Sequence, residues 1–300
     1  MKTYLDLVDE CDTFPYPEKD ATAHSALTST LYTLIHEDPT TSTTYPVGCI
    51  TLPVYQALLK VPTSIKGEMS INQSQRTISL FTQATEPERS AAVAATCEYW
   101  RTNKTFEVLS GWRDELYPVY GPEMKSSVKY GIKLWVPRRS ATKQTYPSML
   151  DNTVAGGMST GEDKFEALVR ECMEEASFPE DVVRKNVKAH GALTYFYVRG
   201  ATAGGETGLM QPECEYIYDL ELPADVIPKP NDSEVEQFYL WTVEEVQEHM
   251  KLGEFKSNCG IVLVDFFIRH GILTSENESH FDEINSRIHR NLPFPGPHNI

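Results

Sequence analysis

Glu171, Glu174 and Glu175 stand within five residues of one another in the segment 156–178, GGMSTGEDKFEALVRECMEEASF. Read as a helix from about Glu162, this segment places Phe165, Leu168, Val169, Cys172 and Ala176 at i, i+3, i+4, i+7 and i+11, a single apolar stripe that must be buried. The three glutamates fall at i, i+3 and i+4 on the other side, so their carboxylates emerge together on one surface patch. Like charges at that spacing cost an isolated helix about 0.2–0.5 kcal/mol per pair. A bound cation offsets that cost: hard divalent ions such as Mg²⁺ take clustered carboxylate oxygens and share themselves with substrate phosphates. Gly156, Gly157 and Gly161 allow a tight backbone path into the helix. The plain alternative is a solvated acidic face, the ordinary fate of a charge run.

Upstream, the polar run from Arg138 to Gln144 follows Pro137 and leads towards this helix. Arg139 and Lys143, four apart in that loop, form either a clamp for phosphate oxygens or a pair of ordinary surface cations. The elements around them read as α+β. Tyr4 to Val8 is a short amphipathic stretch; strands are expected at 47–52, 77–81 and 106–109, with helices from Pro53 to Leu59 and from Pro87 to Trp100. Turn formers and aromatics crowd 111–122, so the domain boundary is set near residue 125, giving domains 1–125 and 126–300. In the second domain a strand runs over 128–136 and stops at Pro137. Further strands are expected at 192–198, 214–222 and 236–241, and helices at 162–177, 242–251, 259–270 and 280–290. That pattern is a sheet sandwiched by helices.

The 300 residues carry 27 Lys+Arg against 43 Asp+Glu, a formal charge of −16. The summed field repels polyanions, so nucleic acid and anionic membranes are excluded as partners. No stretch reaches the apolar length of a membrane span, and the N-terminus has no secretory h-region. Six cysteines without a C-x-x-C pair read as free thiols in a reducing compartment, cytosolic and also nuclear, and Cys172, on the apolar stripe, reads as a core thiol. His249, His270, His280, His289 and His298 show no ligand spacing and read as structural or surface residues.

The string from Gly156 to Phe178 resembles the signature of the Nudix hydrolases, G-x5-E-x7-R-E-U-x-E-E-x-G-U, through Gly156, Glu162, Arg170, Glu171, Cys172, Glu174, Glu175 and Phe178. Its departure is Ser177 where the signature has glycine, at the close of the helix. The resemblance implies an N-terminal α+β domain followed by a Nudix α/β/α sandwich with a mixed sheet. It implies Mg²⁺ or Mn²⁺ held by Glu171, Glu174 and Glu175, supported by Glu162, with Arg170 orienting a glutamate by an ion pair. It also implies a further glutamate from outside the signature, for which Glu213, Glu215, Glu234 and Glu236 are candidates and Glu236 the first choice.

The runs GWRDELYPVYG, KLWVPRRSATKQTYPSMLDNTVAGG and PECEYIYDLELP are more similar to the Nudix proteins related to thiamine pyrophosphokinase. That group implies removal of the terminal phosphate from thiamine diphosphate or its oxo and oxy analogues. The substrate's rings would stack on aromatic side chains, for which Trp112, Tyr117, Tyr120, Trp135 and Tyr146 are candidates, each with core packing as its alternative. Arg139, Lys143, Trp112 and Gly156 then form the expected substrate-binding set. Other nucleoside or isoprenoid diphosphates stand as alternative substrates. So does a diphosphate isomerase, although no motif-placed cysteine precedes the signature, and a binding module, although its glutamates would be eroded. Three roles stand open for residues 1–125: closing over the ligand, mediating a homodimer, or buttressing the sheet.

Overall fold

The structure, a computed structural model, describes residues 1–37, 44–80, 86–111, 132–159, 162–201, 205–231 and 233–294. Thr3 and Asp6 cap each other's backbone N–H groups and start α1 (Tyr4–Cys11). There follow α2 (Ala21–Thr28), β1 (Tyr32–Glu37), β2 (Thr44–Ile50), α3 (Leu52–Lys60), α4 (Thr63–Lys66), β3 (Met69–Asn72), β4 (Thr77–Leu80) and α5 (Glu86–Thr102). The four strands form a mixed sheet in the order β2-β1-β4-β3, with β1 antiparallel to β2 and parallel to β4. Ile78 and the stacked rings of Tyr32 and Tyr55, 4.0 Å apart, make its core. Buried Lys66 donates to the carbonyls of Leu58 and Val61 and so closes the C-terminus of α3.

The second half comprises β5 (Lys133–Arg139), α6 (Lys164–Ala176), α7 (Glu180–Asn186), β6 (Val187–Val198), β7 (Met210–Leu220), β8 (Val235–Thr242), α8 (Val243–Leu252), α9 (Ser257–Arg269) and α10 (Phe281–Arg287). Two antiparallel ladders, β5 with β8 and β6 with β7, lie between helices. On one side, Val246 and Met250 of α8 and Ile261, Val264 and Phe267 of α9 build the main core with Val136 and Leu193. On the other, Val169, Cys172 and Ala176 of α6 pack with Phe178 and Val183. This is the helix–sheet–helix sandwich that the sequence implied. Among the described residues no helix is long and apolar enough to cross a membrane.

Several expectations are corrected. The segment at 106–109 is no strand; it enters a 3-10 turn over Glu107–Gly111, whose first amides, Glu107 and Val108 N–H, are accepted by the Glu206 carboxylate. Pro137 does not stop β5 but sits inside it, opposite Phe238. A two-stranded ladder tolerates a residue without an N–H, and the Pro137 carbonyl is used, accepting from Asp151 N–H at 3.1 Å. The division 1–125 and 126–300 does not describe where the first residues pack. Leu7, Val8 and Cys11 of α1 belong to the core of the second half, against α9, α10 and β6. Residue 125 itself lies outside the described residues. The apolar face of α1 is too small to fold alone and finds its burial across the chain.

Candidate active site

The site is built where the loop 151–159 meets α6. Asp163 caps α6, its Oδ1 accepting from Phe165 N–H at 2.8 Å and Glu166 N–H at 3.2 Å. Glu162 therefore stands just before the helix instead of within its first turn. From there its carboxylate accepts Ser159 N–H at 2.9 Å and reaches Arg170, Nε to Oε1 at 2.9 Å and Nη2 to Oε2 at 3.2 Å. Arg170 Nη1 also donates to Glu171 at 2.7 Å and to Glu174 at 3.0 Å, and Nη2 to the Gly157 carbonyl at 3.1 Å. One guanidinium thus ties Glu162, two glutamates of the helix and the glycine loop into a single unit. The hydrogen bonds from Arg170 hold the Glu162 carboxyl below its usual range against a smaller effect of burial.

The glutamates do not share one surface patch. Glu174 faces solvent, whereas the Glu171 side chain is 12% exposed. Glu171 lies against Gly156 so closely that a Cβ built there would fall inside its carboxyl group. Glu175 turns inward, accepts Ala155 N–H at 3.0 Å, and is pushed up to about 8 by burial and by the charges of Asp151 and Glu171. Ser177, in the glycine position of the signature, adopts φ 55° and ψ 29°. The Ser177 and Phe178 N–H groups return to the Met173 and Cys172 carbonyls at 3.2 and 3.1 Å, so the turn is made in the left-handed conformation without glycine. Cys172 is a core thiol, pushed up to about 12 by burial and by Glu175 and Glu171.

Arg139 is 8% exposed and braces the loop: it pairs with Asp151 and donates to the carbonyls of Tyr146 at 3.1 Å and Thr145 at 3.0 Å. This engagement replaces the open phosphate clamp expected of it. Lys143 pairs with Glu234. Glu236 is exposed at the irregularity where Arg138 pairs with Gln237 and Arg139 with Val235, and it is absent from the cavity wall. Of its rivals, Glu213 and Glu215 line the main cavity, and Glu234 lines a small one beside Glu175. Trp112, Tyr117 and Tyr120 lie outside the described residues; Trp135 and Tyr146 line the main cavity.

That cavity, of about 1660 Å³, is lined by Gly156 and Glu171 and also by Glu213, Glu215, Lys256 and Asn258. Asp151 and Lys256 had no signal of their own in the sequence. Asp151 is buried, and although burial alone would raise it, Lys256 and Arg139 hold it below the usual carboxylate range. Its charge is felt by both Glu175 and Glu215.

Among the described residues no three acidic, histidine or cysteine side chains are already gathered as a cage. The donor set nevertheless fits a hard divalent cation. Glu175 is crowded by like charge, Gly156 clears the space at Glu171, and the buried Asn152 Oδ1 has no hydrogen-bond partner among the described residues. Asn152, Asp151, Glu175 and Glu234 share the walls of the small cavity, whose volume of about 10 Å³ is that of a single water-sized occupant.

Residues 127–259 match the family model of the NUDIX domain, and residues 44–128 match a model described as a domain of unknown function, DUF4743. An uncharacterized protein of Saccharomyces cerevisiae, YJR142W, is 40% identical over 62% of this chain and 64% of its own length. Nudix hydrolase 20, chloroplastic, of Arabidopsis thaliana is 34% identical over 58% of this chain and 52% of its own. The chain thus spans between about half and two-thirds of the length of these two relatives. The uncharacterized Nudix hydrolase all7351 of Nostoc is 34% identical, and the match covers 45% of this chain and 71% of that protein. With the signature residues seated on α6 and its entry loop as described, the chain belongs to the Nudix hydrolase family.

Proposed function

We propose that the protein removes the terminal phosphate from thiamine diphosphate, or from an oxo or oxy analogue, to give the monophosphate. The observation that carries this reading is that the cavity lined by Glu171 and Gly156 is lined also by the rings of Trp135, Tyr146, Tyr195 and Tyr197. An anhydride held at Glu171 in that cavity would have aromatic side chains available to its rings. The resemblance of runs 111–121, 133–157 and 212–223 to the thiamine-related group supports the same substrate class.

In this reading Glu171, Glu174 and Glu175 hold Mg²⁺ or Mn²⁺, with Asp151 and Glu234 completing the acidic surroundings in place of Glu236. A divalent ion held there would supply charge to neutralise diphosphate oxygens and to lower the pKa of an attacking water. Arg170 holds Glu171 and Glu174 in place, and Glu162 holds Arg170. The short loop at Gly156 lets backbone approach the anhydride. Lys143 exchanges its contact with Glu234 for a phosphate oxygen, while Arg139 and Asp151 keep the loop rigid. Six cysteines without a disulfide agree with a reducing compartment, cytosolic or nuclear.

The test is phosphate release from a panel of thiamine, nucleoside and isoprenoid diphosphates by the purified protein with Mg²⁺ or Mn²⁺. Turnover of thiamine compounds with a monophosphate product is expected. Turnover of nucleoside diphosphates or ADP-ribose, with none for any thiamine compound, would overturn the substrate and leave the family assignment intact.

A further inference from the structure

Strand β7 places Glu213 and Glu215 two residues apart, hence on one face, and that face looks towards α9: Asn258 Nδ2 donates to Glu215 Oε1 at 2.7 Å, and Arg269 pairs with Asp219 further along. The two carboxyls are treated differently by their surroundings. Glu215 Oε1 also accepts the Tyr195 hydroxyl at 2.8 Å, so it is fixed by two donors. Glu213 receives, among the described residues, one long hydrogen bond, from Gln211 Nε2 at 3.5 Å. Both line the cavity that holds Glu171 and Gly156, with Tyr195, Tyr197 and Tyr216 nearby in the wall. Lys256 is the cation beside them, and its charge is shared with Asp151.

A carboxyl group facing a cavity with so little compensation is costly. Burial and the charge of Glu215 push it up to about 8, another sign of the same unmet negative potential. A ligand that offers N–H groups or positive charge at this point supplies what the protein leaves out. A purely apolar or carbonyl-bearing ligand does not.

We propose that Glu213 is a specificity-determining residue: its carboxyl accepts hydrogen bonds from the N–H-bearing or cationic edge of a heteroaromatic ring on the diphosphate, while Glu215, fixed by Tyr195 and Asn258, supports the negative potential. This rests on the proposed function in taking a ring-bearing diphosphate as the substrate, and it adds which end of the cavity reads the ring and by what chemistry.

The experiment compares kcat/KM with Mg²⁺ for thiamine, cytidine, uridine and geranyl diphosphates in wild type and in Glu213→Gln. The substitution keeps shape and removes the ionisable carboxyl, which a cationic or N–H-bearing ring would draw into its charged form. Because a partly folded preparation lowers every rate alike, the ratio between substrates is the readout. Wild type is expected to favour the amino-bearing or cationic ring over uridine and geranyl diphosphates, and the substitution to reduce that preference by about tenfold or more, chiefly through KM. A preference unchanged by Glu213→Gln, or a wild type that favours the carbonyl or apolar group, overturns the inference. If cytidine diphosphate is preferred and lost in this way while thiamine diphosphate is never cleaved, the thiamine reading fails and the role of Glu213 stands. If thiamine diphosphate is cleaved equally well by both proteins, the reverse holds.

Discussion

Gly156 and Glu171, fifteen residues apart in the chain, occupy nearly the same space: a Cβ on the first would fall inside the carboxyl group of the second. The glycine of the signature is thus a steric requirement of the glutamate. Gly156→Ala should swing Glu171 away from Arg170 and the loop, and lower kcat/KM by about a hundredfold, the usual cost of misplacing a reacting group by an ångström. The loop is exposed at this point, so the thermal midpoint should hardly move. Steady-state phosphate release and a melting curve check both. Full activity in the variant would mean that Glu171 needs no fixed position.

Arg170 donates to Glu162, Glu171, Glu174 and the Gly157 carbonyl. A lysine has the charge but not the planar fork and cannot serve all four acceptors. Arg170→Lys is expected to lower kcat by about ten- to a hundredfold, an effect of the size seen when a positioning partner is lost. Since Glu162 acts through the same guanidinium, Glu162→Gln in the Arg170→Lys background should add little. A double-mutant cycle on log kcat tests this coupling; simple additivity would show that Glu162 acts independently.

The Arg139–Asp151 pair is buried on both sides. Removing one partner strands the other charge, so Arg139→Met should destabilise the protein by about 3–5 kcal/mol, measured by urea denaturation. Asp151→Leu together with Arg139→Met should cost less than the sum. The sign with pH follows from the depressed carboxyl of Asp151. Its contribution is complete above the unfolded value of about 3.9 and is lost as pH falls through the lower folded value. A wild-type acid limb no steeper than that of Asp151→Asn would remove this assignment.

Ser177 closes α6 in the left-handed region, at a strain of about 1–2 kcal/mol for a residue with a side chain. Its hydroxyl donates to the Lys229 carbonyl at 3.0 Å, a contact of about 1 kcal/mol. Ser177→Gly relieves the first and loses the second, so stability should change by less than about 1 kcal/mol. Ser177→Val, branched at Cβ and unable to make the bond, should cost about 1–3 kcal/mol by chemical denaturation.

The sequence by itself determined α6, its buried stripe through Val169, Cys172 and Ala176, and the row of Glu171, Glu174 and Glu175, because a helix repeats every 3.6 residues and its faces are set by local spacing. The resemblance implied that Arg170 pairs with a glutamate, but helical spacing could not name Glu162 as a partner, because Glu162 stands in the loop before α6. Which glutamate turns inward was not legible: Glu175 is half-buried because α6 meets the loop at Ala155, and Glu174 stays in solvent. Local spacing could not place Glu236 either, since one irregularity in the β5–β8 register turns it outward.

Only the tertiary structure brought Asp151, Lys256 and Glu215 to one cavity, engaged Arg139 inside the protein, and drew α1 into the core of the second half. These relationships span from a dozen to more than 250 residues along the chain. Periodicity carries no information over such separations; ladder register and the competition for buried charge partners decide them.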